Sequence, residues 1–144
     1  MQSKEPLTAT EVIEDLRNRV ARIPGDPDAA LMLGSALYRT GDYADSASTF
    51  RSFLQYHPDH PQGLLLLART VARSGENTEA LRILARAQQV SPENPQVWQT
   101  AVALAANDRN WLELLRIGQD WTQAHPDSHE AWQALSRAPF EESR

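Results

Sequence analysis

Four histidines raise the first question of chemistry. They fall in two related loop patterns, HPDH at His57–His60 and HPDSH at His125–His129. Neighbouring imidazoles can begin a metal site, but zinc takes about three or four protein ligands. Each pair spans a proline-containing turn and no third ligand stands nearby in the pattern, so these read as turn histidines. Glu11, Glu14 and Asp15 lie on a helical segment whose other face is apolar. They read as a solvated face, not an acid/base pair. Ser46, Ser48 and Ser52 have no base in the pattern to activate them. There is no glycine-rich phosphate loop, no G-x-S-x-G and no H-E-x-x-H. The chain is therefore read as non-catalytic, without metal or cofactor. Trp98, Trp111, Trp121 and Trp132 offer π faces for bases or sugars. Each occupies a large-residue or packing slot of the pattern below and is expected in the core.

The elements that carry these residues repeat. Pro24, Pro58, Pro92 and Pro126 stand 34 residues apart, and Pro27, Pro61 and Pro95 keep the same step, with His129 next in line. Asp26, His60, Asn94 and Ser128 precede the second series. Three of them are strong helix N-caps, and proline suits a first helical turn because its missing N–H has no partner there anyway. Residues before the first series (Ile23, His57, Ser91, His125) are pushed out of helical geometry, so helices end near them. Gly41 and Gly75, also 34 apart, mark a second break within each unit; glycine accepts the left-handed backbone that closes a helix. Arg109 holds that slot in the third unit, where Asn107 or Asp108 is expected to supply the turn. Each unit thus reads as two helices joined by a tight bend.

This pattern resembles the tetratricopeptide repeat, about 34 residues with W-x₂-L-G-x₂-Y…A-x₃-F…P. Unit 1 carries Ala30, Leu33, Gly34, Leu37, Ser46, Phe50 and Pro58; unit 2 carries Leu64, Leu67, Ala68, Val71, Ala80, Leu84 and Pro92. Unit 3 carries Trp98, Ala101, Val102, Ala105, Leu114, Gly118 and Pro126. There Gly118 replaces a large residue, while Trp121 sits where unit 2 has Ala87, which reads as bulk traded between neighbouring slots. The resemblance implies an all-α solenoid, about eight antiparallel helices in a right-handed superhelix. The expected organisation is a flexible start at 1–8, one domain over 9–138 and a frayed tail at 139–144. Within the domain, 9–24 is an N-terminal capping helix, 27–60, 61–94 and 95–128 are the repeats, and 129–138 is a C-terminal capping helix. Capping helices cover stacking faces that terminal units would expose.

Composition limits the partners. The formal net charge of −5 and the lack of a basic run argue against a general nucleic-acid binder. No apolar run reaches about 18 residues, so no membrane span is expected. The start, MQSKEPLTAT, lacks the apolar core of a secretory signal. Absence of cysteine removes disulfide and thiolate chemistry without fixing the compartment. The cytoplasm is the default, and the periplasm applies if the chain is a trimmed fragment.

Function then rests on which residues face the groove. In the run GLLLLAR, Gly63 to Arg69, about 100° per residue places Leu64, Leu67 and Ala68 on the packing stripe and Leu65 and Leu66 away from it. The family resemblance implies that first helices line a concave face. That geometry puts Leu31, Met32, Ser35, Tyr38 and Arg39 of unit 1 there, with Leu65, Leu66, Arg69 and Arg73 of unit 2 and Gln99 of unit 3. Asp28, Gln62, Gln96, Thr100, Ala103, Glu130, Gln133 and Arg137 fill the remaining slots. The inferred groove is partly apolar and locally basic; alternatively, Leu65 and Leu66 pack against helices of adjacent units. A lysine/asparagine carboxylate clamp, used by some members of the family, is not recognisable, because its slots hold Leu31, Ser35 and Leu66 and no lysine follows Lys4.

The leading expectation is a protein–protein interaction module that takes an apolar or acidic peptide or helix of a partner. The alternative is a homo-oligomeric scaffold assembling through its convex face or end helices. A more distant resemblance, carried by VIEDLRNRVARIPGDPDAALMLGSAL, is to the entry of repeat domains in bacterial cytochrome c assembly proteins. It implies an accessory domain outside the cytoplasm, holding unfolded apocytochrome segments.

Overall fold

A computed structural model describes residues 6–138. Among these residues there are eight helices and no strand: α1 (Ala9–Arg22), α2 (Pro27–Arg39), α3 (Tyr43–Tyr56), α4 (Pro61–Arg73), α5 (Asn77–Val90), α6 (Pro95–Asn107), α7 (Trp111–Ala124) and α8 (His129–Arg137). The chain is an α-solenoid. Each helix packs on its neighbours in sequence, and the first helices also touch across units, α2 on α4 and α4 on α6. The expected frayed tail at 139–144, and residues 1–5 of the expected flexible start, lie outside the described residues. Pro6–Thr8 are non-helical, and Thr8 forms a capping box with Glu11 that opens α1.

Local chemistry accounts for the regular stride. Asp26, His60, Asn94 and Ser128 all cap the helix that follows, each side chain accepting a backbone N–H of the first turn. His60 does so through Nδ1, 3.1 Å from the Gly63 N–H, and takes the place of an Asn or Asp. The residues before the first proline series share φ between −135° and −139°, which ends α1, α3, α5 and α7 at the same phase. At the inner bend, Gly41 and Gly75 have φ of +87° and +88°. In unit 3 the sequence pattern places the turn on Asn107 or Asp108. Arg109 itself takes the left-handed conformation, with φ of +54°. The hydrogen bonds of the bend require a positive φ at this one slot: Asn110 N–H reaches Ala105 O as Asp42 reaches Leu37 and Glu76 reaches Val71.

The core runs through the layer between first and second helices. Phe50, Leu64, Leu84, Trp98, Leu114 and Ile117 are all buried in one continuous cluster, while Leu16, Leu33 and Leu37 form a smaller one against α1. Bulk is traded between slots. Gly34 leaves room for the Phe50 ring, which would collide with any added β-carbon. In unit 3 the glycine stands on the second helix: a β-carbon on Gly118 would lie 2.7 Å from the Leu135 Cα, so α8 docks by its backbone. Trp121 stacks parallel on Trp98, with centroids 5.9 Å apart and planes at 6°. Both are buried, as expected. Trp111 and Trp132, also expected in the core, are instead 41% and 51% exposed. Trp111 opens a second helix at the rim, and no second helix among the described residues covers Trp132.

Candidate functional site: a trough along the first helices

The first helices α2, α4 and α6 lie side by side and leave a shallow trough. Two adjoining hollows form it. One, of about 340 Å³, is bordered by Ser35, Tyr38, Leu66, Arg69 and Arg73, and on the α6 side by Thr100, Ala103, Leu104 and Asn107. The other, of about 280 Å³, is bordered by Leu31, Met32, Ser35, Arg39, Gln62 and Leu66, with Val12 of α1 at its end. Ser35 and Leu66 border both, so the hollows adjoin. Gln99 borders neither. It lies on the same row of first helices and donates from Nε2 to Glu130 Oε2 at 2.8 Å, tying α6 to α8.

Nine of the ten residues proposed from sequence are accessible and stand along this row of first helices. Leu65 does not: it is fully buried. A helix at the edge of a bundle buries one stripe, but α4 has α3, α5, α2 and α6 around it. Gly63, Leu64, Leu65, Leu67, Ala68, Thr70 and Val71 are all buried there, which leaves Leu66 as the trough-facing leucine. Leu66 is half-buried and Met32 is 52% exposed, so the apolar floor is formed by Leu31, Met32 and Leu66.

Two polar features set the electrostatics. Buried Ser46 donates from Oγ to Gly34 O at 2.7 Å, and Thr70 donates from Oγ1 to Leu66 O at 2.8 Å. These bonds pin the floor from beneath. Arg73 reaches out to the rim, where its Nη2 donates to Tyr43 Oη at 2.9 Å and its guanidinium lies 5.4 Å from the Tyr43 ring centroid. Tyr38 meets Tyr43 edge-on at 5.3 Å. The hydrogen bond to Tyr43, first, and the fields of the two tyrosines raise the Arg73 pKa above its ordinary value. Tyr43 was not among the residues proposed from sequence, although it opens α3 just after the bend at Gly41. Asn107 and Leu104 were also missed. Asn107 was within reach of sequence reasoning, since it stands 34 residues after Arg73 and 68 after Arg39.

Arg39, Arg69 and Arg73 have no ion-pair partner among the described residues; the salt bridges found there join Arg17 to Asp45, Arg82 to Glu79, Arg86 to Asp59, and Arg116 to Glu113 and Asp120. No carboxylate borders either hollow. The histidines serve the turns. His57 Nε2 bonds Gly25 O at 2.8 Å and His125 Nε2 bonds Pro92 O, linking each turn to the preceding one. His57 and His60 both lie against Phe53. Burial, then the neighbouring His57, lowers the His60 pKa below its ordinary 6.5. Among the described residues no three metal-ligating side chains converge.

A solenoid of paired helices whose first helices line an open trough has the architecture of a helical-repeat interaction scaffold. The tetratricopeptide repeat family model matches residues 16–95, more than half of the chain, and the protein belongs to that family. A search of curated proteins finds no match. Among solved structures, MamA is similar over 90% of this chain and 76% of its own, with TM-score 0.73 and 14% identity. TTC0263, described as a thermophilic TPR protein in Thermus thermophilus, is similar over 90% and 72%, with TM-score 0.67 and 18% identity. Naa15/Naa10 bound to HypK-THB is similar over 88% of this chain and 19% of its own, with TM-score 0.70 and 16% identity. At such identities the likeness is one of fold.

Proposed function

We propose that the trough binds an extended, acidic peptide segment of a partner protein, without catalysis. The observation that carries this reading is the company of the arginines: in a chain of net charge −5, Arg39, Arg69 and Arg73 stand around an apolar floor with no carboxylate of their own. A partner's Asp or Glu side chains complete these cations in bidentate bonds, and its apolar side chains cover Leu31, Met32 and Leu66. Burying one such side chain contributes about 1.5–3 kcal/mol. Because the trough is built on rigid helices, the ordering cost falls mainly on the peptide.

Calorimetric titration tests this with a panel of extended peptides of matched apolar content and opposite net charge. Acidic members bind, with affinity that falls as salt rises, and basic members do not. Arg69→Glu with Leu66→Ser weakens the acidic peptides by at least about tenfold, the loss of about one charge-assisted bond. Equal affinity for both charge classes, or unchanged affinity in the double variant, rejects this site.

A further inference from the structure

The 34-residue frame extends into both ends of the chain. Ala9–Arg22 precedes Tyr43–Tyr56 by one step, residue for residue, so α1 is a second helix; His129–Arg137 follows Pro95 by one step, so α8 is a first helix. In unit 3 the first-helix slot held by Trp98 meets the unit's own second helix at Trp121, and the slot is buried in all three units: Ala30, Leu64 and Trp98. The same slot on α8 holds Trp132, 51% exposed. Trp132 is already set for a partner. Its Nε1 donates to Pro126 O at 2.8 Å, as Trp98 Nε1 donates to Pro92 O at 2.8 Å. Trp98 then receives Trp121 on its face; among the described residues, nothing stacks on Trp132.

The complementary deficit is on α1. The slots equivalent to Phe53 of α3 and to its C-cap His57 hold Arg19, which is exposed, and the α1 C-cap Ile23, which is 61% exposed. We infer that α8 of one copy and α1 of a second copy join head to tail and together make the two halves of one further repeat unit. Continuing the 34-residue frame across that junction puts Arg19 of the second copy in the Trp121 slot, with its guanidinium against the Trp132 face. A cation over tryptophan is a favourable pairing. The same frame sets Asp127 where Asp59 meets Arg86 within the chain, opposite Asn18 of the second copy, so a hydrogen bond there replaces an ion pair. The two surfaces differ, so the contact is heterologous and can repeat from copy to copy.

Sedimentation velocity across about 1 μM to about 1 mM, the range of weak association, tests this on the 144-residue chain. The wild type grows from monomer to dimer and longer species with concentration. Trp132→Ala, which damages only the α8 end, and Ile23→Asp, which damages only the α1 end, each remain monomeric. Mixed in equal amounts, they form dimers and stop there, because the dimer uses the one intact α8 end and the one intact α1 end. Arg19→Glu weakens association at least about tenfold, and circular dichroism checks that every variant keeps its helices. A wild type that stays monomeric over the whole range overturns the inference, as does association that survives both end variants or a mixture that forms no dimer. Arg69→Glu with Leu66→Ser leaves self-association unchanged, and Trp132→Ala leaves peptide affinity unchanged, so this proposal and the trough reading stand or fall separately.

Discussion

Unit 1 and unit 3 fill one facing pair of slots, Gly34 with Phe50 and Val102 with Gly118, with opposite distributions of bulk. Unit 1 keeps its first helix small, Ala30 and Gly34, and presents Phe50 and Phe53 from the second. Unit 3 places Trp98 and Val102 on the first helix and carries the glycine, Gly118, on the second. Unit 2 lies between them with Ala68 and Leu84. All of these positions are buried. What the frame requires is a filled interhelical volume, not a particular residue at each slot. The side of the glycine still matters. Gly34 opens toward its own unit, whereas Gly118 opens toward α8, whose Leu135 backbone fills the space. The short last helix is thus held closely while Trp132 stays half exposed.

The comparison breaks most readily at the paired indoles. Trp121→Ala is expected to cost about 3–5 kcal/mol in urea denaturation, the usual loss for a buried tryptophan. Trp132→Ala, with half its surface exposed in the monomer, costs distinctly less at dilute concentration. Equal losses would show that the two tryptophans are equivalently packed. The trade in unit 1 is sharpened by importing the unit 2 pair. Gly34→Ala alone overpacks and Phe50→Leu alone leaves a void, each costing about 1–3 kcal/mol. Together they recover part of that loss, and the coupling is read from a double-mutant cycle.

A smaller contrast separates the caps. Asn94 and Ser128 cap at any pH, but His60 caps only while Nδ1 keeps its lone pair. Its folded pKa lies below the ordinary 6.5, so the folded state resists protonation. The contribution is therefore complete above the ordinary value and declines as pH falls below it toward the folded pKa. Thermal melts between neutral and mildly acidic pH should show this decline, and His60→Asn should flatten it by roughly 0.5 kcal/mol or less, as a partly exposed cap allows. A comparably small effect is at the inner bend. Arg109→Gly relieves the cost of a left-handed arginine, about 1–2 kcal/mol, but adds glycine's chain entropy, about 0.5–1 kcal/mol. A net gain of about 0.5 kcal/mol, the difference of those two effects in denaturation midpoint analysis, would place unit 3 with its neighbours.

Most of the fold was legible because its signals are local. Pro27, Pro61 and Pro95 with the caps before them specify starts, and Ile23, His57, Ser91 and His125 before the prolines specify stops. The trough was legible in outline, since Leu31, Met32, Ser35, Tyr38, Arg39, Leu66, Arg69 and Arg73 border its hollows. Tyr43 was missed because its role depends on Arg73, 30 residues later, reaching back across the units.

Spacing alone marked where the helices start and stop and their order, because caps and prolines act within a few residues. Only the stacked structure decided between adjacent leucines and between like tryptophans. Leu65 is buried and Leu66 borders the trough because α4 has neighbours on several sides. Trp98 is covered and Trp132 is half open because burial depends on the helix that arrives from elsewhere in the chain.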